Sequence, residues 1–134
     1  MAFKFAGIIL ILFGVSIFST VTSFDCSSLV EEINSGQLNW LADCNIVVPV
    51  STTKEGWTLA LTFDQVFTGV GTWELWVNFN GTARIATLSD REPYGNTELD
   101  AGQLFHFRFR VNYGRDIPKP QVISMNFQGI ELCK

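Results

Sequence analysis

Residues 56–63, GWTLALTF, put Trp57, Leu59, Leu61 and Phe63 on every second position, with Thr58, Ala60 and Thr62 between them. A period of two with one apolar set is the pattern of a strand that buries one face. The same period returns in LFHFRFRV, where Phe105, Phe107, Phe109 and Val111 share one side and Leu104, His106, Arg108 and Arg110 the other. At 3.6 residues per turn a helix would scatter either set around its circumference. A further strand is expected over residues 40–50, with residues 51–55 as a polar turn, and WELWVNF and TARIATLS flank Asn80-Gly81, a strong two-residue hairpin signal because both central positions need positive φ. QVISMNF places Ile123, Met125 and Phe127 on a common side before Gly129 turns the chain toward Cys133, while SSLVEEI at 27–33 reads as a single helical turn. Short strands separated by turn residues predict an all-β chain: one antiparallel β-sandwich of immunoglobulin-like or jelly-roll-like kind.

The first residues, MAFKFAGIILILFGVSIFSTVTS, show one early Lys, an apolar run from Phe5 to Phe18 and small residues up to Ser23. That layout is a secretory signal peptide over 1–23, leaving a single domain over 24–134; an uncleaved anchor is the alternative. The formal charge of −4 argues against a nucleic-acid or anionic-lipid partner, so neither nucleic acid nor, after signal cleavage, a membrane is expected. Charged residues make up only 16% and aromatics 13%, Phe contributing 12 residues, which supplies a core with rings to spare for a surface. A secreted chain with Cys26, Cys44 and Cys133 has one pair and one leftover. Cys44 shares parity with Trp40, Ala42, Ile46 and Val48 and reads as a small buried hydrophobe, so Cys26 is paired with Cys133, a Cys26–Cys44 pairing being the alternative. Asn80-Gly81-Thr82 is an N-glycosylation sequon at an expected hairpin tip.

The order Gly56-Trp57-Thr58-Leu59 with Phe63, then Trp73 after a Gly-containing loop, LDAGQLFHFRF at 99–109 and PQVISMNFQGIELC at 120–133 resembles carbohydrate-binding module family 2, the cellulose- and chitin-binding β-sandwiches. The resemblance spans about residues 38–133. It implies a line of exposed aromatics against a flat polysaccharide, with Trp73 as the middle ring and Tyr94, in REPYGN, as the last. The first ring has no counterpart: residues 34–38 read Asn-Ser-Gly-Gln-Leu, and Trp40 aligns with a buried family position.

Alternation through WELWVNF ranks the rings differently. It assigns Trp73, Leu75, Val77 and Phe79 to the core and turns Trp76 outward beside Glu74 and Asn78, a ring flanked by a carboxylate and an amide. A loop or bulge ahead of the strand would leave both Trp73 and Trp76 exposed. The candidate ligand-binding residues are therefore Trp73, Trp76, Tyr94, Glu74 and Asn78. Trp57 and Trp40 read as core, Tyr94 has the plainer role of covering a loop, and Arg108 and Arg110 read as solvated.

Nothing points to catalysis. His106 is the single His, between two phenylalanines and without a partnered nucleophile, and a copper clamp would need His at the mature N-terminus, where Phe24 is expected. Asp90, Glu92, Glu98 and Asp100 crowd one polar loop, where solubility is the plain reading and calcium the lesser one; no cofactor or metal is expected. The expectation is a secreted, monomeric, non-catalytic module that binds cellulose or chitin. Its rivals are an extracellular-matrix or interaction protein that keeps the fold without the sugar, and an accessory subunit of a separate glycoside hydrolase.

Overall fold

A computed structural model describes residues 24–134; the expected signal peptide, 1–23, lies outside the described residues. Among the described residues nine strands follow a 3-10 turn at Cys26–Ser28: β1 Val30–Ser35, β2 Asn39–Val47, β3 Thr58–Phe63, β4 Gly69–Thr72, β5 Trp76–Asn80, β6 Ile85–Ser89, β7 Leu104–Asn112, β8 Val122–Phe127 and β9 Ile130–Cys133, with another 3-10 turn at Glu92–Tyr94. They form two antiparallel sheets, β1-β2-β7-β4 and β5-β6-β3-β8-β9. The expected sandwich is therefore the observed one. Among the described residues no helix is long and apolar enough to cross a membrane.

The alternating sets meet between the sheets. Leu59, Leu61 and Phe63 of β3 and Phe107, Phe109 and Val111 of β7 are buried, as are Trp40, Ala42, Cys44 and Ile46 of β2. Trp40 meets Phe109 edge-on at 5.6 Å, and Trp57 stacks on Phe127 at 5.3 Å. Burying each such side chain contributes about 1.5–3 kcal/mol, which makes the inner faces the dominant stabilising term.

Four local expectations are corrected. Only Cys26–Ser28 forms the helical turn; Val30–Ser35 pairs instead with β2, whose backbone would otherwise present an open sheet edge. The strand expected over 40–50 ends at Val47, ahead of Pro49, which has no N–H to offer a ladder. Asn80-Gly81 opens a hairpin, but Asn80 pairs with Ile85, so the loop holds residues 81–84, and Arg84 rather than Gly81 takes positive φ (66°). Gly81 is needed for a different reason: a Cβ there would lie 1.7 Å from the Phe67 carbonyl oxygen. The two-residue turn with both φ positive is found at Gln128-Gly129, at 51° and 82°, joining β8 to β9. Lastly, Ile123 is exposed while Val122, Met125 and Phe127 are buried, because a register shift opposite Thr62/Phe63 inserts one residue and reverses the side on which Val122 and Ile123 fall.

Cys26 and Cys133 are joined, closing a separation of 107 residues, and Cys44 is free and buried. Burial pushes the Cys44 thiol up to about 12, so it carries almost no thiolate at neutral pH. Replacing both Cys26 and Cys133 by Ser should lower unfolding free energy by about 3–5 kcal/mol, as the chain-entropy account of so long a loop requires. Urea denaturation measures it, and in the same titration Cys44 should react with a thiol reagent only through the unfolding transition.

Candidate functional site

Between β4 and β5 the chain leaves one sheet for the other, and the three residues that make the crossing decide where the rings stand. Thr72 Oγ1 donates to the Leu75 carbonyl at 2.9 Å, tightening residues 72–75 into a bend, and Leu75 plugs the interior beneath it. The strand proper starts at Trp76. Trp73 accordingly escapes the burial expected from β5 alternation and is 51% exposed; its parity continues the outward set Gly69 and Gly71 of β4. Phe79 is a second correction. It lies across from the buried Ala86, but β5 is the sheet edge, so its ring is half exposed against Phe67 at 5.9 Å.

Trp76 is 59% exposed and pairs with Ser89, on the side of β5 opposite Val77. Tyr94, 51% exposed, is carried by the 3-10 turn Glu92–Tyr94, which Pro93 starts and Gly95 ends at φ 70°. One cation joins the two rings: the Arg91 guanidinium lies 4.4 Å from the Trp76 centroid and 5.0 Å from that of Tyr94. Each contact contributes about 0.5–1 kcal/mol at such exposure, and together they hold three planar groups in one cluster.

Beside this cluster the outer face of the five-stranded sheet carries short uncharged side chains as far as β8, where Asn126 pairs with Glu131 of β9. Asn78, Thr87, Ala60 and Asn126 form one row across β5, β6, β3 and β8, and Trp76, Ser89 and Thr58 form the next. Short hydroxyl and amide side chains leave no ridge between Trp76 and the far strands. Asn78 is exposed in this surface, as expected. Asn80 is exposed too, its Oδ1 accepting from the Ala83 N–H at 3.0 Å.

Trp73 stands elsewhere. The Arg110 guanidinium lies 5.8 Å from its ring, and it shares a cleft of about 450 Å³ with Leu41, Glu74, His106, Phe107 and Arg108. Leu41, His106, Arg108 and Arg110 belong to the outward sets of β2 and β7, so this cleft opens on the four-stranded sheet. Arg108 is also more than solvated: its Nε and Nη2 donate to both carboxylate oxygens of Asp43, at 2.8 and 3.2 Å, and His106 Nε2 lies 3.1 Å from Asp43 Oδ1. The Arg108 hydrogen bonds, and more weakly those of His106, hold the Asp43 carboxyl below the usual carboxylate range.

Two residues that carry no signal of their own in the sequence organise the site. Asn96, 6% exposed, accepts from the Arg91 N–H at 2.7 Å through Oδ1 and donates from Nδ2 to the Glu74 carbonyl at 2.8 Å. It ties the Tyr94 loop to the bend that carries Trp73 and Glu74. Its own carbonyl accepts from the buried Trp57 Nε1–H at 2.7 Å. Asp90 pins the other side of the loop, accepting from the Trp57 N–H at 2.9 Å and the Thr97 hydroxyl at 2.8 Å. Gly56, at φ 86°, is needed next to it, since a Cβ would fall 2.1 Å from Asp90 Oδ1. The carboxylate read as one of a solvated cluster is thus a structural acceptor. Among the described residues no group of three or more His, Cys, Asp or Glu is placed to hold a metal ion.

No protein-family model matches the chain, and no curated protein matches it. Among solved structures the chain is similar to the chitin-binding domain of Chi18aC from Streptomyces coelicolor, at 15% identity and a TM-score of 0.44, covering 69% of this chain and 85% of that one. It is also similar to chitinase ChiA74 from Bacillus thuringiensis, at 10% identity and a TM-score of 0.47, over 71% of this chain and 15% of that one.

Asn96→Ala removes the partners of the Arg91 N–H and the Glu74 carbonyl together, and should cost about 1–3 kcal/mol of stability by urea denaturation, the penalty for polar groups left unpaired. A carbon-detected NMR titration should place the Asp43 midpoint below its ordinary 3.8, and Arg108→Gln should move it upward.

Proposed function

We propose that the chain is a secreted, non-catalytic polysaccharide-binding module that lays sugar rings on Trp76 and Tyr94, with chitin or cellulose as its ligand. The observation that carries this reading is the pair of half-exposed rings held by Arg91 at the margin of a hydroxyl and amide surface that runs over β5, β6, β3 and β8. A pyranose presents a face of C–H groups rimmed by hydroxyls. An aromatic plane covers the first, at roughly 25 cal/mol per Å² of apolar area removed from water, and Asn78, Thr87 and Asn126 can exchange hydrogen bonds with the second. A Trp or Tyr loses little rotamer freedom in doing so, and the clamp through Asn96 leaves less to lose. The Cys26–Cys133 bond suits an oxidising, extracellular setting. Asn80 is open to glycosylation, and its Nδ2, the atom a glycan would take, is not the one held by Ala83.

One feature favours the interaction-protein alternative. Val47 and Leu104, paired on the outer side of β2 and β7, are 60% and 67% exposed, and Phe24 lies in the same apolar corner as Val47.

Pull-down on chitin, cellulose and an uncoated control resin separates the two. The wild-type protein should be retained on polysaccharide. Trp76→Ala and Tyr94→Ala should each weaken retention by about 1–2 kcal/mol, a factor of five to thirty, while lowering stability by no more than the ~1 kcal/mol of the lost Arg91 contact. Absence of retention on every glycan would favour the interaction protein.

A further inference from the structure

Trp73 and Trp76 are three residues apart in the chain, yet they serve different surfaces. The bend at residues 73–75 carries the backbone from β4, an edge of one sheet, to β5, an edge of the other. Trp76 belongs to the outward set of the five-stranded sheet, and Trp73 to a cleft built from the outward set of the four-stranded sheet. In a sandwich those outward directions diverge, the sheets being about 10 Å apart with their inner faces turned toward each other. A polymer lying flat over Trp76, Asn78 and Thr87 therefore runs along one side of the domain while the Trp73 cleft faces the other.

The cleft has the makings of a sugar site in its own right. At about 450 Å³ it falls within the roughly 300–1,000 Å³ of small-ligand pockets. Trp73 supplies a half-exposed ring, and Glu74, His106 and Arg108 supply acceptors and donors around it. Asp43 braces two of these: it takes two of the five N–H groups of Arg108 and pairs with His106, so both side chains are held before any ligand arrives. Arg110 backs the indole on one side.

We infer that the domain is bivalent, binding one glycan chain on the Trp76–Tyr94 surface and a second in the Trp73 cleft, and so bridges separate polysaccharide chains. This rests on the reading of the chain as a polysaccharide-binding module and extends it from attachment to cross-linking. Two weak sites on one rigid body also raise retention on a fibrous matrix well beyond what either achieves alone.

The test uses suspended chitin nanofibres and, in parallel, cellulose nanofibres, with bound protein measured by depletion and fibre bundling by light scattering in the same samples. The wild-type protein should bind and bundle. Trp73→Ala and Trp76→Ala, both at exposed positions where folding should survive, should each still bind but lose bundling at least tenfold at equal bound protein. Titration of Trp76→Ala with the hexasaccharide of whichever polysaccharide the wild type binds, hexa-N-acetylchitohexaose or cellohexaose, should still shift the Trp73 indole N–H resonance. Bundling by Trp73→Ala at the wild-type level, or binding by the wild type with no bundling, would overturn bivalency and leave the binding module standing. No binding of the wild type to fibres of either polysaccharide would remove both.

Discussion

The hydrogen bond from the Trp57 indole to the Asn96 carbonyl is the point on which the surface depends for its shape. Trp57 is a core residue by every measure, stacked on Phe127 and edge-on to Phe105, and its ring cannot move without opening the space between the sheets. Its one polar atom must find an acceptor once buried. The acceptor it finds is the backbone of the loop that bears Arg91 and Tyr94, while its own N–H is capped by Asp90 from the same loop. Thus a long connection that would otherwise be mobile is referenced to the most rigid part of the molecule, and Asn96 passes that reference on to residue 74. The rings are exposed, but their supports are buried.

This arrangement explains how a domain with a full interior can still offer aromatics outside. Phe63, Phe67, Phe107, Phe109, Phe127 and Tyr113 fill the inner faces together with Trp40 and Trp57, and Phe105 packs against them. Rings beyond that number have nowhere to go but outward, where water would oppose them unless something else shares the cost. Arg91 and Arg110 do so by stacking, which lets an indole remain uncovered without collapsing onto its neighbours.

Much of this was legible along the chain wherever one face of a strand is buried and the other is not. β3 and β7 announce themselves because their two side-chain sets differ so sharply, and the same parity identified Cys44 as the thiol left out of the disulfide. Legibility failed where parity changes owner. Alternation alone counts Trp73 with β5, although it continues the outward set of β4 and stands exposed where the family resemblance puts a ring, and Ile123 is turned around by an extra residue in β8. Val30–Ser35 is exposed along nearly its whole length and shows no alternation, since it is recruited by the open edge of β2 rather than by a core. Arg91 and Asn96 act across separations of 15 and 22 residues or more, to Trp76 and to Glu74, and composition of a polar loop does not reveal which member will be enclosed.

The bond between Cys26 and Cys133 has a geometric corollary. It draws Phe24 and Lys134 together, the Lys134 N–H donating to the Phe24 carbonyl at 3.0 Å, on the β9 margin of the five-stranded sheet. β5 is the opposite margin, four strand spacings away, about 19 Å at about 4.8 Å each. A bead attached at Lys134 would therefore sit beside β9, across the sheet from Trp76 rather than over it. Immobilisation through the Lys134 side chain would leave both Trp76 and the Trp73 cleft in the open.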